Sequence, residues 1–478
     1  MRLGRRRRVV VVGGGGAGLA AARTAAAAGA RTTLVSAGPL GGDCTWTGCV
    51  PSKALLERTA LGEGWERART HLLDVRARIA ATEDATALAR DDVATLAGTA
   101  RLLTGEAGEG APALSVLGED GERTRLDADG VVWATGSAPL VPDVPGLDAV
   151  PYLTNETVFD LPAAPGSVLV LGGGAIGCEL ATVLARCGSR VQLVESAPRL
   201  LAKEEPDASR VVEAALRVLG VDVRTGARLV RVEATADGAR AHLAGGPGAG
   251  VVEVERVLVA TGRRPVVGDG ADEPGHARLP RGDRGEVVTD ERLRTRVTGV
   301  WAAGDCTGRL PFTHAADAMG RVAGANAARG WSRGRARYEE RTTPWVTFTD
   351  PEVARVGLSE AQAAAAVRGA RVAHLPHDEV DRALTAGRSD GFVTLVTGPR
   401  RVLGHLGGGR LLGATVVGPR AGETIAEVVL AMRVDCFTGR LAQATHAYPT
   451  WGTAVQVAAA QTVGTFGGRR SRPARAEP

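Results

Sequence analysis

The segment GGDCTWTGCVPSKALL holds two closely spaced cysteines, Cys44 and Cys49, and a lysine, Lys53. Pro51, Ser52 and Lys53 open what reads as a helix, with an apolar stripe following. Two cysteines at this spacing at a helix start can come within disulfide range. The free N–H groups of a helix N-terminus lower a thiolate pKa, and Cys49 is the residue placed to feel it. A nearby lysine acts the same way. The pair therefore offers a thiolate beside an electrophile and a partner thiol able to attack a substrate. A zinc site would need two further ligands, and the sequence offers no second Cys or His pair nearby. The chain has six cysteines (Cys44, Cys49, Cys178, Cys187, Cys306 and Cys436), too few for a disulfide scaffold in 478 residues. In a reducing cytosol a close pair points to catalysis or metal binding rather than to structure.

Such chemistry needs elements that bring a redox cofactor to the sulfurs. Two stretches supply the pattern. Val9 to Val12 lead into GGGGAG, and SVLVLGGGAIG runs from Ser167 to Gly177. Each apolar run reads as a buried parallel strand, followed by a glycine turn and an Ala/Leu-rich helix. Gly13, Gly15 and Gly18 fit G-x-G-x-x-G, as do Gly172, Gly174 and Gly177. One glycine makes the tight turn, one lets the backbone approach a pyrophosphate, and one permits close helix–strand packing. The helix N-terminus then meets the phosphates. An acid about 20 residues on should bind ribose hydroxyls. Glu195 fills that place in the second unit, and Ser36 stands there in the first. Glu195 would repel a 2′-phosphate, which favours NADH over NADPH, although Arg199 nearby weakens that preference. Strand-like segments end at Gly136 (VVWATGSAP), at Gly262 (VLVATGRRP) and before Asp305 (GVWAAGDC). Asp305 is placed to bond a ribityl or ribose hydroxyl.

Length suggests about three domains. The charged fraction of 23% and the hydrophobic fraction of 44% are those of an ordinary globular protein. The net charge of +5 could suggest nucleic acid. The only lysines are Lys53 and Lys203, and the arginines are scattered rather than striped, so nucleic-acid binding is not expected. The basic, apolar start superficially resembles a signal peptide, but its apolar run is broken by the glycine motif. No apolar run is long enough to span a bilayer, and the expected location is the cytoplasm. From about Gly62 to Ala97 the pattern reads as helical. The last third mixes short strands with two helices, and the tail from Gly467 to Pro478 reads as disordered.

The motif GGDCTWTGCVPSK resembles the active-site segment of the pyridine nucleotide–disulfide oxidoreductases, which include dihydrolipoamide dehydrogenase, glutathione reductase and mercuric reductase. The resemblance runs in order through ATGSAP, GGGAIGCELA, ATGRRP, GVWAAGDC, FTHAADAMG, WVTFTDPEVARVG and GATVVGPRAGETI. It implies an α/β fold of two Rossmann-like dinucleotide-binding domains and a C-terminal α+β dimerisation domain. The implied divisions are residues 1–150 and 285–340 for FAD, 151–284 for NAD(P), and 341–466 for dimerisation. Gly13, Gly15, Gly18, Ser36, Gly136 and Asp305 would bind FAD. Gly172, Gly174, Gly177, Glu195 and Gly262 would serve the nicotinamide dinucleotide. Cys49 would touch the flavin, Cys44 would face the substrate, and Lys53 would lie by the flavin and pair with Glu179. Electrons would pass from NAD(P)H through FAD and the cysteine pair to a small-molecule acceptor. The expected assembly is a homodimer in which each active site is completed by the partner subunit.

Three departures bear on the acceptor. Ser36 replaces the usual ribose acid. Trp46 replaces a frequent Asn, and its bulk is expected to narrow or repack the substrate side. The family's acid–base segment, H-x-H-P-T-x-x-E, here reads HAYPTWGT, so Tyr448 and Thr453 replace the catalytic histidine and its glutamate. Reducing a disulfide requires a proton for the leaving thiolate, which a His near pKa 6.5 supplies and a Tyr near 10 does not. His446 aligns with a structural histidine. The expected acceptor is therefore a quinone, a metal ion or a small electrophile. Mercuric reductases also carry Tyr there, but the tail RSRPARAEP lacks their cysteine pair, which ranks dedicated mercuric reduction second. Dihydrolipoamide oxidation with a substitute base is the other alternative.

Overall fold

The computed structural model describes residues 5–103, 111–268 and 276–476. Its first sheet is parallel throughout, in the order Val300–Ala302, Gly130–Trp133, Arg8–Val12, Arg31–Ser36, Val93–Ala97. Val9 to Val12 are almost fully buried, as a central strand covered on both faces requires. Helix Gly16–Ala27 returns over this sheet and packs against helix Thr313–Arg329. Small residues allow that contact: a Cβ on Gly320 or Gly324 would collide with the backbone of Ala17 or Ala21.

The second parallel sheet repeats the plan, in the order Asp222–Thr225, Arg190–Glu195, Ser167–Leu171, Arg256–Val259, Tyr152–Leu153. Helix Ala175–Arg186 follows its glycine turn. Where the two units meet, Ser137–Pro139 pairs antiparallel with Arg263–Pro265, so both Ala-Thr-Gly turns lie side by side.

The third unit is a sheet of six strands, ordered Pro344–Thr347, Glu352–Gly357, Arg410–Gly418, Phe392–Gly398, Arg371–Pro376, Arg472–Pro473. Helices Ala421–Arg433 and Gly452–Val463 bury Ile425, Val428, Val455 and Ala458 in its core. The architecture is thus the expected α/β fold with two dinucleotide-binding units and an α+β third unit. Among the described residues no helix is long and apolar enough to cross a membrane.

Two local expectations are corrected. Residues 62–97 do not stay helical: after helices Trp65–Ala80 and Ala85–Arg90, Val93–Ala97 becomes the edge strand of the first sheet. The tail is not disordered through residue 476. Arg472 pairs with Val372 as a sixth strand, and Arg472 Nη2 donates to Glu360 Oε2 at 2.8 Å. Arg469 likewise pairs with Glu379. A basic composition suggested a solvated tail, but carboxylates distant in sequence receive it. Residues 477–478 lie outside the described residues.

Candidate active site

A cavity of about 660 Å³ lies where the three units meet. Its floor is the first glycine turn. Gly13 adopts φ +109°, and a Cβ there would strike the Ala134 carbonyl. A Cβ on Gly18 would strike the Gly13 carbonyl, so this glycine permits helix–strand contact. Gly15 and Gly136 have almost no neighbours on their Cβ side and present bare backbone to the space. The N-terminus of helix Gly16–Ala27 opens into the same space. These residues fit FAD: a dinucleotide's pyrophosphate needs bare backbone and a helix N-terminus. Asp305 lines the cavity and accepts from Ser137 Oγ at 2.6 Å. Burial raises its carboxyl pKa, against the Ser137 bond and the Arg263 charge. Ser36 also lines the cavity, and its hydroxyl donates to its own loop at the Gly38 carbonyl, 2.8 Å away.

Cys49 is the first residue of helix Cys49–Ala60. Gly48 is needed before it, because a Cβ there would crowd the Asp43 carbonyl at 2.7 Å. Both sulfurs are free thiols. The hydrogen bond from Cys44 brings the Cys49 thiol down to about 6, opposed by burial and helped by the Lys53 charge and the Thr313 hydroxyl. The same Cys44–Cys49 contact, with burial, pushes Cys44 far above its ordinary value. Thr313 Oγ1 lies 3.2 Å from Cys49 Sγ. Cys49 is thus the thiol that ionises more readily and Cys44 the one that keeps its proton more tightly, which is the asymmetry a nucleophile and its partner need.

Lys53 Nζ donates to Glu179 Oε2 at 2.7 Å and stands 4.7 Å over the Phe348 ring. Glu179 is only 4% exposed and also accepts from the Phe348 N–H at 2.9 Å. The glutamate comes from helix Ala175–Arg186 of the second unit, so one helix joins the nucleotide turn to the cavity wall. Arg263 completes the frame. It donates to Ser137 Oγ at 2.7 Å, to Asn155 Oδ1 at 3.2 Å and to Asp43, beside Cys44. Asn155 in turn donates to the Thr47 carbonyl at 3.1 Å.

The second glycine turn has the same build. Gly172 adopts φ +105°, Gly174 has an open Cβ side, and a Cβ on Gly177 would strike the Gly172 carbonyl. Glu195 closes the turn, accepting from Gly173 N and Ala197 N at 2.6 Å each. Arg199 points inward, donating to the carbonyls of Leu201 and Glu204 and to Ser209 Oγ. Gly262, at φ +140° in the neighbouring Ala-Thr-Gly turn, has only Leu140 near its Cβ side.

Tyr448 lies apart from this cavity. It is 74% exposed on the third unit, and its hydroxyl donates to Asp381 Oδ2 at 2.7 Å. That carboxylate raises the phenol's pKa further. Thr453 Oγ1 donates to the Thr450 carbonyl. His446 has acceptors at both ring nitrogens: Glu427 Oε2 at 2.9 Å from Nε2 and the Ala444 carbonyl at 3.0 Å from Nδ1. Trp46 is not among the cavity walls. Its indole donates to the Leu40 carbonyl at 2.8 Å and its ring faces Arg76. Sequence reasoning missed Thr313, Phe348 and Arg263 as neighbours of the cysteine pair. The motifs FTHAADAMG, WVTFTDPEVARVG and ATGRRP contain them, but nothing local announces their contacts.

Residues 7–320 match the pyridine nucleotide-disulphide oxidoreductase family, and residues 343–459 match the dimerisation domain of the same family. Among curated relatives, a mercuric reductase of Streptomyces lividans is 35% identical over 450 residues, covering 90% of this chain and 91% of the relative. Dihydrolipoyl dehydrogenase 2 of Haloarcula marismortui is 33% identical, covering 91% of this chain and 92% of the relative. Among solved structures, LpdA of Mycobacterium tuberculosis superposes with TM-score 0.85 at 29% identity, covering 95% of this chain and 99% of that one. The Cu(II) complex of the HOCl-induced flavoprotein disulfide reductase RclA of Escherichia coli gives TM-score 0.83 at 25% identity, with the same coverage. Enzymes of this kind use FAD and NAD(P)H, and the dimerisation domain supports a homodimer. The glycine cradles, the cysteine pair and the third unit that follows them therefore belong to one plan, and the chain is a member of the pyridine nucleotide-disulphide oxidoreductase family.

Proposed function

We propose that this enzyme reduces a thiophilic metal ion at the Cys44–Cys49 pair, with NADH as donor; the mercuric reductase relative moves mercury(II) from second rank to the first ion to try, although the tail lacks a delivering cysteine pair. The observation that carries this reading is the segment His446–Thr453, which offers no free imidazole. Tyr448 presents a phenol whose pKa is raised, and both nitrogens of His446 already face acceptors. In the homodimer this exposed surface would face the partner's cysteine pair.

Proton demand separates the two kinds of acceptor. A disulfide accepts two electrons and needs protons for two thiolates, one of them during S–S cleavage. Mercury(II) accepts two electrons and leaves as the neutral atom: NADH and Hg(II) give NAD⁺, one proton and Hg(0). No leaving group waits for a proton. FAD, when bound, carries the electron pair between nicotinamide and sulfur. The protein's own residues hold the acceptor. Cys49 offers a thiolate, and Cys44 gives up its proton as the soft cation displaces it. Lys53 balances the charge of Glu179 and of the Cys49 thiolate. The glycines and Asp305 would hold FAD, and Glu195 would accept from the ribose hydroxyls of NADH while Arg199 stays occupied elsewhere.

The mercuric reductase relative, matched over most of its length, supports this acceptor class, and the copper complex of RclA makes Cu(II) the second ion to try. The test is anaerobic NADH oxidation with Hg(II), with elemental mercury collected by purging. One mercury atom per NADH, abolished by Cys44→Ser, is the expected result. No Hg(II)-dependent oxidation, or full rate in Cys44→Ser, would sink the proposal.

A further inference from the structure

The carboxylate of Glu83 lies against the short helix Gly42–Trp46 that carries Cys44, and nothing in the proposed chemistry uses it. Glu83 Oε2 accepts from the Thr45 hydroxyl at 2.7 Å, and Thr45 is only 1% exposed. The same oxygen rests against Gly41, where a Cβ would come within 2.6 Å of it. Cys44 lies between these two contacts in the chain. The turn that brings the carboxylate is fixed on both sides. Arg23 donates to the Thr82 carbonyl at 2.9 Å, and Asp84 caps helix Ala85–Arg90 through the Ala87 N–H at 2.7 Å. Other charges near Cys44 are matched. Asp43 pairs with Arg263, Lys53 pairs with Glu179 beside Cys49, and Arg76 lies over the Trp46 ring. Glu83 is half-buried and has no cationic partner among the described residues. A glutamine would accept the same hydrogen bond without the charge, so packing alone does not explain the carboxylate.

We propose that Glu83 is a positioning residue for the reaction: it seats the helical turn bearing Cys44 and, through its unmatched charge, keeps the proton on Cys44 until an acceptor displaces it. This rests on Cys44 being the acceptor-facing thiol, and not on which acceptor it meets. The sign follows from Coulomb's law, since a fixed negative charge disfavours a second one nearby. The Cys49 contact and burial hold the Cys44 proton most strongly, the Thr313 hydroxyl opposes them, and the Glu83 charge adds to them. A protonated Cys44 leaves the pair's negative charge on Cys49, which the Lys53 charge favours. Electrons then stay on the pair while no acceptor is bound, because a thiol is a poorer nucleophile than a thiolate.

The test labels the NADH-reduced holoenzyme with iodoacetamide under argon across pH 6 to 10, in wild type, Glu83→Gln and Glu83→Ala. Peptide mass spectrometry follows each cysteine separately. Glu83→Gln keeps an acceptor for Thr45 and removes the charge. Its Cys44 should label roughly threefold faster than in wild type at each pH below the midpoint, with the profile displaced to lower pH. Glu83→Ala should show the same displacement together with a lower melting temperature, because the buried Thr45 hydroxyl loses its partner. A purely structural role would quicken both cysteines at every pH without displacing the Cys44 profile. That result, or a Glu83→Gln profile superimposed on wild type, would overturn the proposal. Hg(II)-dependent NADH oxidation at full rate in Cys44→Ser would refute the role of Cys44 itself, a separate failure.

Discussion

Replacing Lys53 by methionine tests how the cysteine pair is charged. Lys53 and Glu179 meet at 2.7 Å, with side chains 29% and 6% exposed. Lys53→Met leaves a buried carboxylate with the Phe348 N–H as its remaining donor. Removing one member of a buried pair costs 3–5 kcal/mol, and the surviving donor puts this case near the lower end, about 3 kcal/mol. The second effect is on Cys49, whose thiol sits at about 6 through Cys44, Lys53 and Thr313 against burial and Glu179. Losing the cation should raise that value by about one unit. The order of Cys49 pKa should be Lys53→Met highest, then Lys53→Met/Glu179→Gln, then wild type, then Glu179→Gln. The double variant should also regain stability, because a neutral amide needs no counter-charge. The assay is iodoacetamide alkylation of Cys49 in the reduced holoenzyme across pH, followed by peptide mass spectrometry. Alkylation in wild type should rise through pH 6 as the thiolate forms, with the Lys53→Met midpoint displaced upward. An unchanged midpoint in a folded, destabilised Lys53→Met protein would refute the electrostatic reasoning.

Other outcomes follow from the same geometry. Glu195→Ala removes the charge that opposes a 2′-phosphate, and steady-state kinetics should show the NADPH-to-NADH ratio of kcat/KM rising about tenfold. Tyr448→His with Thr453→Glu rebuilds an imidazole–carboxylate pair, and lipoamide turnover should increase by on the order of 10²-fold. Truncation after Gly468 removes the Arg472 strand and its Glu360 pair. Chemical denaturation of the dimer should then show a loss of about 1 kcal/mol.

The parts legible in the sequence are those whose chemistry is local. The two glycine turns declare themselves because strand, turn and helix adjoin. Cys44, Cys49 and Lys53 share one helix start, so their spacing carries the geometry. The contacts that tune them join distant segments. Thr313 is 264 positions from Cys49, and Arg263 is 220 from Asp43. No pattern in either segment encodes which partner it meets. The pairing of Lys53 with Glu179, 126 positions apart, was implied by the family resemblance and not by the residues alone. The tail misled for a related reason. Its basic composition reads as solvated until Glu360 and Glu379 are brought beside it.

A cysteine pair that serves an acceptor needing no proton from the enzyme should discriminate sharply between a metal ion and a disulfide. The most direct measurement is the ratio of kcat/KM for Hg(II) to that for lipoamide, with NADH as donor, across pH 6 to 9. The ratio should be well above one throughout, with lipoamide turnover close to background. Lipoamide turnover matching or exceeding that of Hg(II) in wild-type protein would contradict it.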